Sequence, residues 1–283
     1  MTAAALDLGG AEVRPLLGGR MRLDGGAMFG VVPRALWERA CPPDDRHRID
    51  NPCRCLLVRC RGALVLVDTG CGDRFDERSR EIFAVDPGVT LLGALREAAV
   101  APAEITHVVL THLHFDHAAG ALTRDDGGIR PLFPEAVHVV QRGEWEDARE
   151  GVSIMRSSYA PDDLEALADL RWELVEGDGS ILPQVSVQAT GGHTGHHQAV
   201  WVHGDHRRLV FPGDVLPSRH HLSPYWIMAY DMFPHDTLTV KRSLARQVHE
   251  EGCVVAWDHD PHGPFSRLVR GERGEYRAAA LEG

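Results

Sequence analysis

The chain has 283 residues, 43% hydrophobic and 25% charged, with a net charge of −11. That is enough for one large α/β unit, and it offers no basic excess for a nucleic-acid backbone. No run of about 18 apolar residues occurs, so no segment reads as membrane-spanning, and the opening MTAAALDLGG does not read as a signal peptide.

Six cysteines (Cys41, Cys53, Cys55, Cys60, Cys71 and Cys253) in a chain of this size read as reduced thiols, which predicts a cytoplasmic protein. The spacing of Cys53, Cys55 and Cys60 lacks the second pair of a zinc knuckle; on a strand Cys53 and Cys55 simply share a face. CRCLLVRCRGALVLVDTG reads as two strands around a turn at Arg61-Gly62. A helix is expected over 90–99, a buried strand over 105–113, a short helix after it, and a loop through 125–128. Then come a strand over 136–141, a helix over 161–172, strands over 185–190, 198–203 and 208–214, a helix over 236–251 with Asp236 as N-cap, and a last strand over 253–260. Strands interleaved with few helices, in two clusters, point to an α/β protein with helices on the outer faces of its sheets.

THLHFDHAAG, residues 111–120, places three histidines and an aspartate within six residues. On a strand, His112 and His114 point the same way and can ligate one ion from its end. Asp116 and His117 project from the following turn towards a second. His193 follows the strand over 185–190, Asp214 follows another, and His259 ends the last. Imidazole and carboxylate from several strand ends suit zinc, manganese or iron.

In order, LVDTG, THLHFDHAAG, GGHTGHH, FPGD and DHDP resemble the five motifs of the metallo-β-lactamase superfamily, spanning residues 64–260. The resemblance implies an α/β fold, a four-layer αββα sandwich, as a single domain over 1–283 with an N-terminal extension over about 1–50 and a pocket-lining insert over about 216–235. It implies two divalent metals, zinc foremost, manganese or iron otherwise. His112, His114 and His193 would hold one; Asp116, His117 and His259 the other; Asp214 would bridge them; and Asp68 would orient a ligand imidazole. The third motif departs from the family's H-T-P-G-H: it reads His193-Thr194-Gly195-His196-His197. His197 keeps the last position and His196 is read as a loop residue. His262 rivals His259, whose place directly after the strand favours it.

The implied chemistry is hydrolysis by a metal-bridging hydroxide, with Asp116 and Asp214 orienting it and handling its proton. No G-x-S-x-G nucleophile elbow is present. LPSRHHLSPYWIMAYDMFP supplies Tyr225, Trp226, Met228, Tyr230 and Phe233 as pocket candidates. In lactonases of the superfamily a tyrosine holds the substrate carbonyl, and Tyr225 and Tyr230 are the candidates here. DGGAMFGVVPRALW supplies Met28, Phe29 and Trp37, as an opposite wall or as part of a homodimer surface. This N-terminal pattern resembles the lactonase and organophosphate-hydrolase-like branch. The expectation is a small-molecule lactone or ester with an apolar portion, and no nucleic-acid or membrane partner. A glyoxalase-II-like thioesterase, a phosphotriesterase and a metal-bearing binding or sensor protein stand as alternatives.

Overall fold

The computed structural model describes residues 4–125, 128–151 and 153–281. Strands β1 (Leu6–Asp7), β2 (Ala11–Asp24), β3 (Arg48–Cys60), β4 (Ala63–Val67) and β5 (His107–Val109) belong to one sheet. β6 (Leu122–Asp125) and β7 (Gly128–Pro131) pair as a separate hairpin; in the loop expected there, residues 126 and 127 lie outside the described residues. β8 (Val137–Gln141) and β9 (Trp172–Val175) complete the first sheet, in the order β1-β2-β3-β4-β5-β8-β9. The second sheet runs in sequence order through β10 (Gly179–Leu182), β11 (Val185–Ala189), β12 (Gln198–His203), β13 (Arg208–Phe211), β14 (Val254–Ala256), β15 (Phe265–Arg270) and β16 (Tyr276–Ala279).

Period-two hydrophobicity makes two faces of each strand. Leu56 and Val58 of β3 and Val65 and Val67 of β4 meet Val200 and Val202 of β12 and Leu209 and Phe211 of β13 between the sheets. Their neighbours Leu57, Leu64 and Leu66 face outward onto helices Leu91–Glu97, Arg142–Glu150 and Pro161–Leu167, through Leu91, Leu95, Trp145 and Leu164. On the far side, Trp201, Val210 and Val255 pack on Leu244 and Val248 of helix Pro234–Glu250. Helix, sheet, sheet, helix is the αββα sandwich. Each fully buried aliphatic side chain contributes about 1.5–3 kcal/mol of transfer free energy.

Several elements differ from expectation. The supposed N-terminal extension carries β1 and β2, and β2 pairs with β3 along its whole length, from Ala11–Cys60 to Asp24–Arg48. The strand expected over 105–113 ends at Val109: Leu110 N–H still bonds the Val139 carbonyl, but Thr111 N–H donates to Asp68 Oδ1 and Leu113 N–H to Glu144 Oε1. His112 and His114 therefore sit on a loop. The helix expected over 161–172 stops at Leu167, whose carbonyl accepts the Trp172 indole N–H at 2.8 Å. The last long helix starts at Pro234 with Phe233 as N-cap residue, which leaves Asp236 inside the first turn rather than capping it. Two strands, β15 and β16, follow the fifth motif.

The topology collects chemistry at one edge. β4, β5 and β8 are parallel, as are β13 and β14, so the chain leaves each sheet repeatedly on the same side. Asp68 follows β4, residues 111–117 follow β5, Asp214 follows β13 and His259 follows β14.

Candidate metal centre

At that edge two clusters of buried ligand atoms form. One nitrogen each from His112, His114 and His193 lies within 4.8 Å of the others. Beside it, His117, Asp214, Asp258 and His259 satisfy the same limit. Asp214 joins the two. Its Oδ2 is 3.1 Å from His193 Nε2, and its Oδ1 is 3.4 Å from His117 Nε2 and 3.2 Å from His259 Nε2. Asp116 reaches the second cluster, with Oδ2 3.6 Å from His259 Nε2.

The far nitrogens are held by acceptors. His117 Nδ1–H donates to Asp68 Oδ2 at 2.8 Å, His193 Nδ1–H to Asp231 Oδ1 at 2.8 Å, and His259 Nδ1–H to the Pro52 carbonyl at 2.8 Å. Fixing that proton on Nδ1 turns the Nε2 lone pair of each ring into the cluster. His112 Nε2 and Asp214 Oδ1 are buried with no hydrogen-bond partner among the described residues. Orphaned donor atoms of mixed imidazole and carboxylate type fit two divalent metal ions.

Asp68 is the hub beneath the clusters. It adopts φ +54° and accepts from the Thr111 amide at 2.7 Å, the Thr111 hydroxyl at 2.8 Å and His117. Two glycines allow the close approach. A Cβ on Gly120 would lie 1.9 Å from the Thr69 carbonyl, and one on Gly213 (φ +54°) would lie 2.6 Å from His197 Nε2. His197 is buried and accepts the Asp214 amide at 3.1 Å; His196 is half exposed near Asp147. His262 meets His220 edge-on and belongs to neither cluster.

Three contributors carried no motif. Glu144 is buried and accepts from Leu113 N–H, the Tyr159 hydroxyl and the Thr194 hydroxyl, tying the histidine loop to the segment bearing His193. Asp231 supports His193 from the insert, which also donates Met232 N–H to the His193 carbonyl. Asp258 lies beside His259, with Oδ2 3.7 Å from its Nε2. Asp258 stood within DHDP and Asp231 within the insert, neither singled out there, and Glu144 stood in no recognised stretch.

Charges respond to this crowding. Burial, then the neighbouring imidazoles, push His112 and His114 well below the usual histidine range. Burial acts the same way on His117 and His259, but nearby carboxylates outweigh it: Asp214 and Asp116 raise His117 well above the usual range, and Asp258 and Asp214 raise His259 to about 10. Asp214 stays well below the carboxylate range, its burial outweighed by His117, His193 and His259.

Above the clusters a cavity of about 180 Å³ is lined by Leu23, Met28, Phe115, Met155, Met228 and Tyr230, with His114, Asp116, His193, Asp214 and His259 on its floor. Burial, then Asp116, push the Tyr230 hydroxyl to about 12. The other expected pocket residues stand elsewhere. Tyr225 is 67% exposed, where its hydroxyl accepts from Arg242 of the long helix and its ring lies under that guanidinium. Phe233 is 43% exposed. Phe29 stacks on Trp37 and meets Trp226 edge-on, and all three pack with Met28 and Met228, so they support the wall without lining it.

The family model described as the metallo-beta-lactamase superfamily matches residues 48–259. The chain belongs to this superfamily. Among curated relatives, an N-acyl homoserine lactonase of Bacillus sp is 26% identical over 165 residues, 54% of this chain and 59% of the relative. The N-acyl homoserine lactonase AttM of Rhizobium radiobacter is 27% identical over 171 residues, 56% of this chain and 60% of that one. The chain thus spans about six tenths of the length of the curated relatives it matches. Among solved structures, a probable metal-dependent hydrolase from Staphylococcus aureus superposes with TM-score 0.87 at 27% identity, covering 98% of this chain and 100% of that one. AidC, a dizinc quorum-quenching lactonase, superposes with TM-score 0.80 at 19% identity, covering 99% and 97%, a likeness of fold.

Two outcomes are expected of this superfamily member. Asp68→Ala strands three buried donors and lowers the stability of the metal-free protein by about 3 kcal/mol in urea unfolding, with zinc affinity about tenfold weaker or worse. Metal loading at pH 7 releases the protons that His117 and His259 carry when metal-free. Calorimetric heats then depend on the ionisation enthalpy of the buffer, and the His259 share disappears above about pH 10. Buffer-independent heats at pH 7 contradict it.

Proposed function

We propose that the protein is a dinuclear metal-dependent hydrolase that opens lactones carrying an apolar acyl portion, the N-acyl homoserine lactone class foremost. The observation that carries this reading is Asp214, one oxygen directed to each ligand cluster, beneath a cavity whose walls are mainly apolar, with Tyr230, Ser157 and Ser158 as its polar wall residues. The lactonase relatives support the substrate class.

In this reading His112, His114 and His193 would hold the first metal, Asp116, His117 and His259 the second, and Asp214 would serve both. Bound there, two divalent ions, zinc foremost, supply a water made acidic near neutral pH and polarise an ester carbonyl. The rest is done by the chain. Asp68, Asp231 and the Pro52 carbonyl keep His117, His193 and His259 oriented, so the ligand geometry exists before substrate arrives. Met28, Met228 and Phe115 take the acyl portion and exclude water around the carbonyl. Tyr230, held protonated by its raised pKa, donates a hydrogen bond to the carbonyl oxygen as negative charge grows there. Water oxygen bonds to the carbonyl carbon, the ring C–O bond breaks, and Asp116 at the cavity floor carries the proton from the water to the departing ring oxygen. The product is the ring-opened hydroxy acid.

The test is hydrolysis by metal-loaded protein of an acyl-homoserine lactone, an aryl ester, a phosphotriester and a glutathione thioester. The lactone is turned over fastest and Asp116→Ala abolishes it. Tyr230→Phe lowers kcat/KM by about 10²-fold with metal content unchanged, while Tyr225→Phe has no effect. Preference for the thioester or the phosphotriester overturns the lactonase reading, and no turnover of any substrate with two metals bound supports a binding protein instead.

A further inference from the structure

A thiol lies beside the second cluster, sharing His259 with it. Cys53 lies on β3, and its Sγ, an Asp116 oxygen and a His259 nitrogen all fall within 4.8 Å of one another, all buried. His259 Nε2 lies 3.2 Å from Asp214 Oδ1, which is buried without a hydrogen-bond partner among the described residues, so an unsatisfied acceptor stands at the imidazole that the thiol also approaches. We infer that Cys53 is a sulfur ligand to the second of the two metal ions proposed above, an inference that rests on that two-metal reading.

The sulfur's other polar neighbours are the Cys71 thiol and the Asn51 carbonyl. Cys53 sits opposite Gly19 in the β2–β3 register. A Cβ on Gly19 would lie 2.1 Å from Cys71 Sγ, so the glycine opens the space in which the Cys71 thiol sits beside Cys53. Met21 packs with both thiols, and Phe75, Phe83 and Phe115 close over them. The backbone contact of Cys53 Sγ is a long one, 4.0 Å to the Asn51 carbonyl. Asn51 and Pro52, the two residues before Cys53, meet His259 Nδ1 through the Asn51 amide and the Pro52 carbonyl, at 3.1 and 2.8 Å. The strand that presents the sulfur therefore also fixes the imidazole it would share a metal with.

On coordination the S–H bond breaks, a sulfur–metal bond forms and the proton leaves to solvent. A thiolate beside imidazole and carboxylate biases this position towards zinc and away from manganese, which prefers oxygen ligands. Nothing in the C-x-C spacing announces this role, since Cys55 on the same strand face is buried in the aliphatic core with Leu16 and Leu57.

X-ray absorption at the zinc edge, on protein whose metal content is measured in the same sample, tests the assignment. With two zinc ions per chain, a sulfur neighbour at ~2.3 Å is expected. It disappears in Cys53→Ser, persists in Cys71→Ser, and the Cys53→Ser protein binds zinc about tenfold more weakly. Two zinc ions with only nitrogen and oxygen neighbours in the unmodified protein overturn the Cys53 ligand and leave the two-metal reading intact. Fewer than two zinc ions at saturation overturns both. The unmodified protein decides the question by itself if Cys53→Ser fails to fold.

Discussion

The site depends on one buried carboxylate that is not among the proposed metal ligands. Asp68 stops β5 from continuing by taking the Thr111 amide, and the same carboxylate takes the His117 ring proton. The first contact turns residues 111–114 into a loop with two histidines directed at one point; the second aims His117 at the neighbouring point. Thr69 N–H donates to the His117 carbonyl at 2.7 Å, so backbone and side chain of the same histidine are both tied to the end of β4. Charge-assisted hydrogen bonds of this kind are worth about 1.5–3 kcal/mol each. They hold a residue with φ +54° in a conformation that an L side chain does not choose unaided.

Around that anchor the design is one of charge matching in a place water barely reaches. His112 and His114 are driven neutral by burial and by each other, whereas His117 and His259 are held charged by carboxylates until something replaces their protons. Two divalent cations would do so while also satisfying the orphaned oxygen of Asp214. The insert after β13 connects this chemistry to the cavity. Asp231 steadies His193, Met228 and Tyr230 line the cavity over the ligand clusters, and Lys241 on the long helix donates to the Trp226 carbonyl at 2.5 Å, fastening the insert from behind.

Much of this was legible in the sequence. Alternating β-branched residues announced the strands of both inter-sheet faces, and the five motifs named the histidines and aspartates that the two clusters bring together. What escaped reading has a common cause: it depends on contacts between segments far apart in the chain. The end of β5 is set by carboxylates at positions 68 and 144, Glu144 and Asp231 carry no local pattern, and Cys53 looks like any cysteine on a strand. The aromatic stretches were ambiguous for the same reason. Hydrophobicity predicts that Phe29, Trp37 and Trp226 are covered, but which of them faces a cavity and which stacks behind its wall is decided by packing. Tyr225 and Tyr230 are five residues apart in an irregular segment without a period, so nothing local distinguishes the exposed one from the one over the clusters.

The account turns on Asp214 joining two metal positions, and counting metal tests that most directly. Purified protein and its Asp214→Ala variant, each equilibrated with zinc at matched concentration and passed through a desalting column, are compared for bound zinc by atomic emission. Two ions per chain in the unmodified protein and one or none in the variant is the predicted result. Two ions retained by the variant with unchanged affinity would contradict a bridging carboxylate and the dinuclear centre built on it.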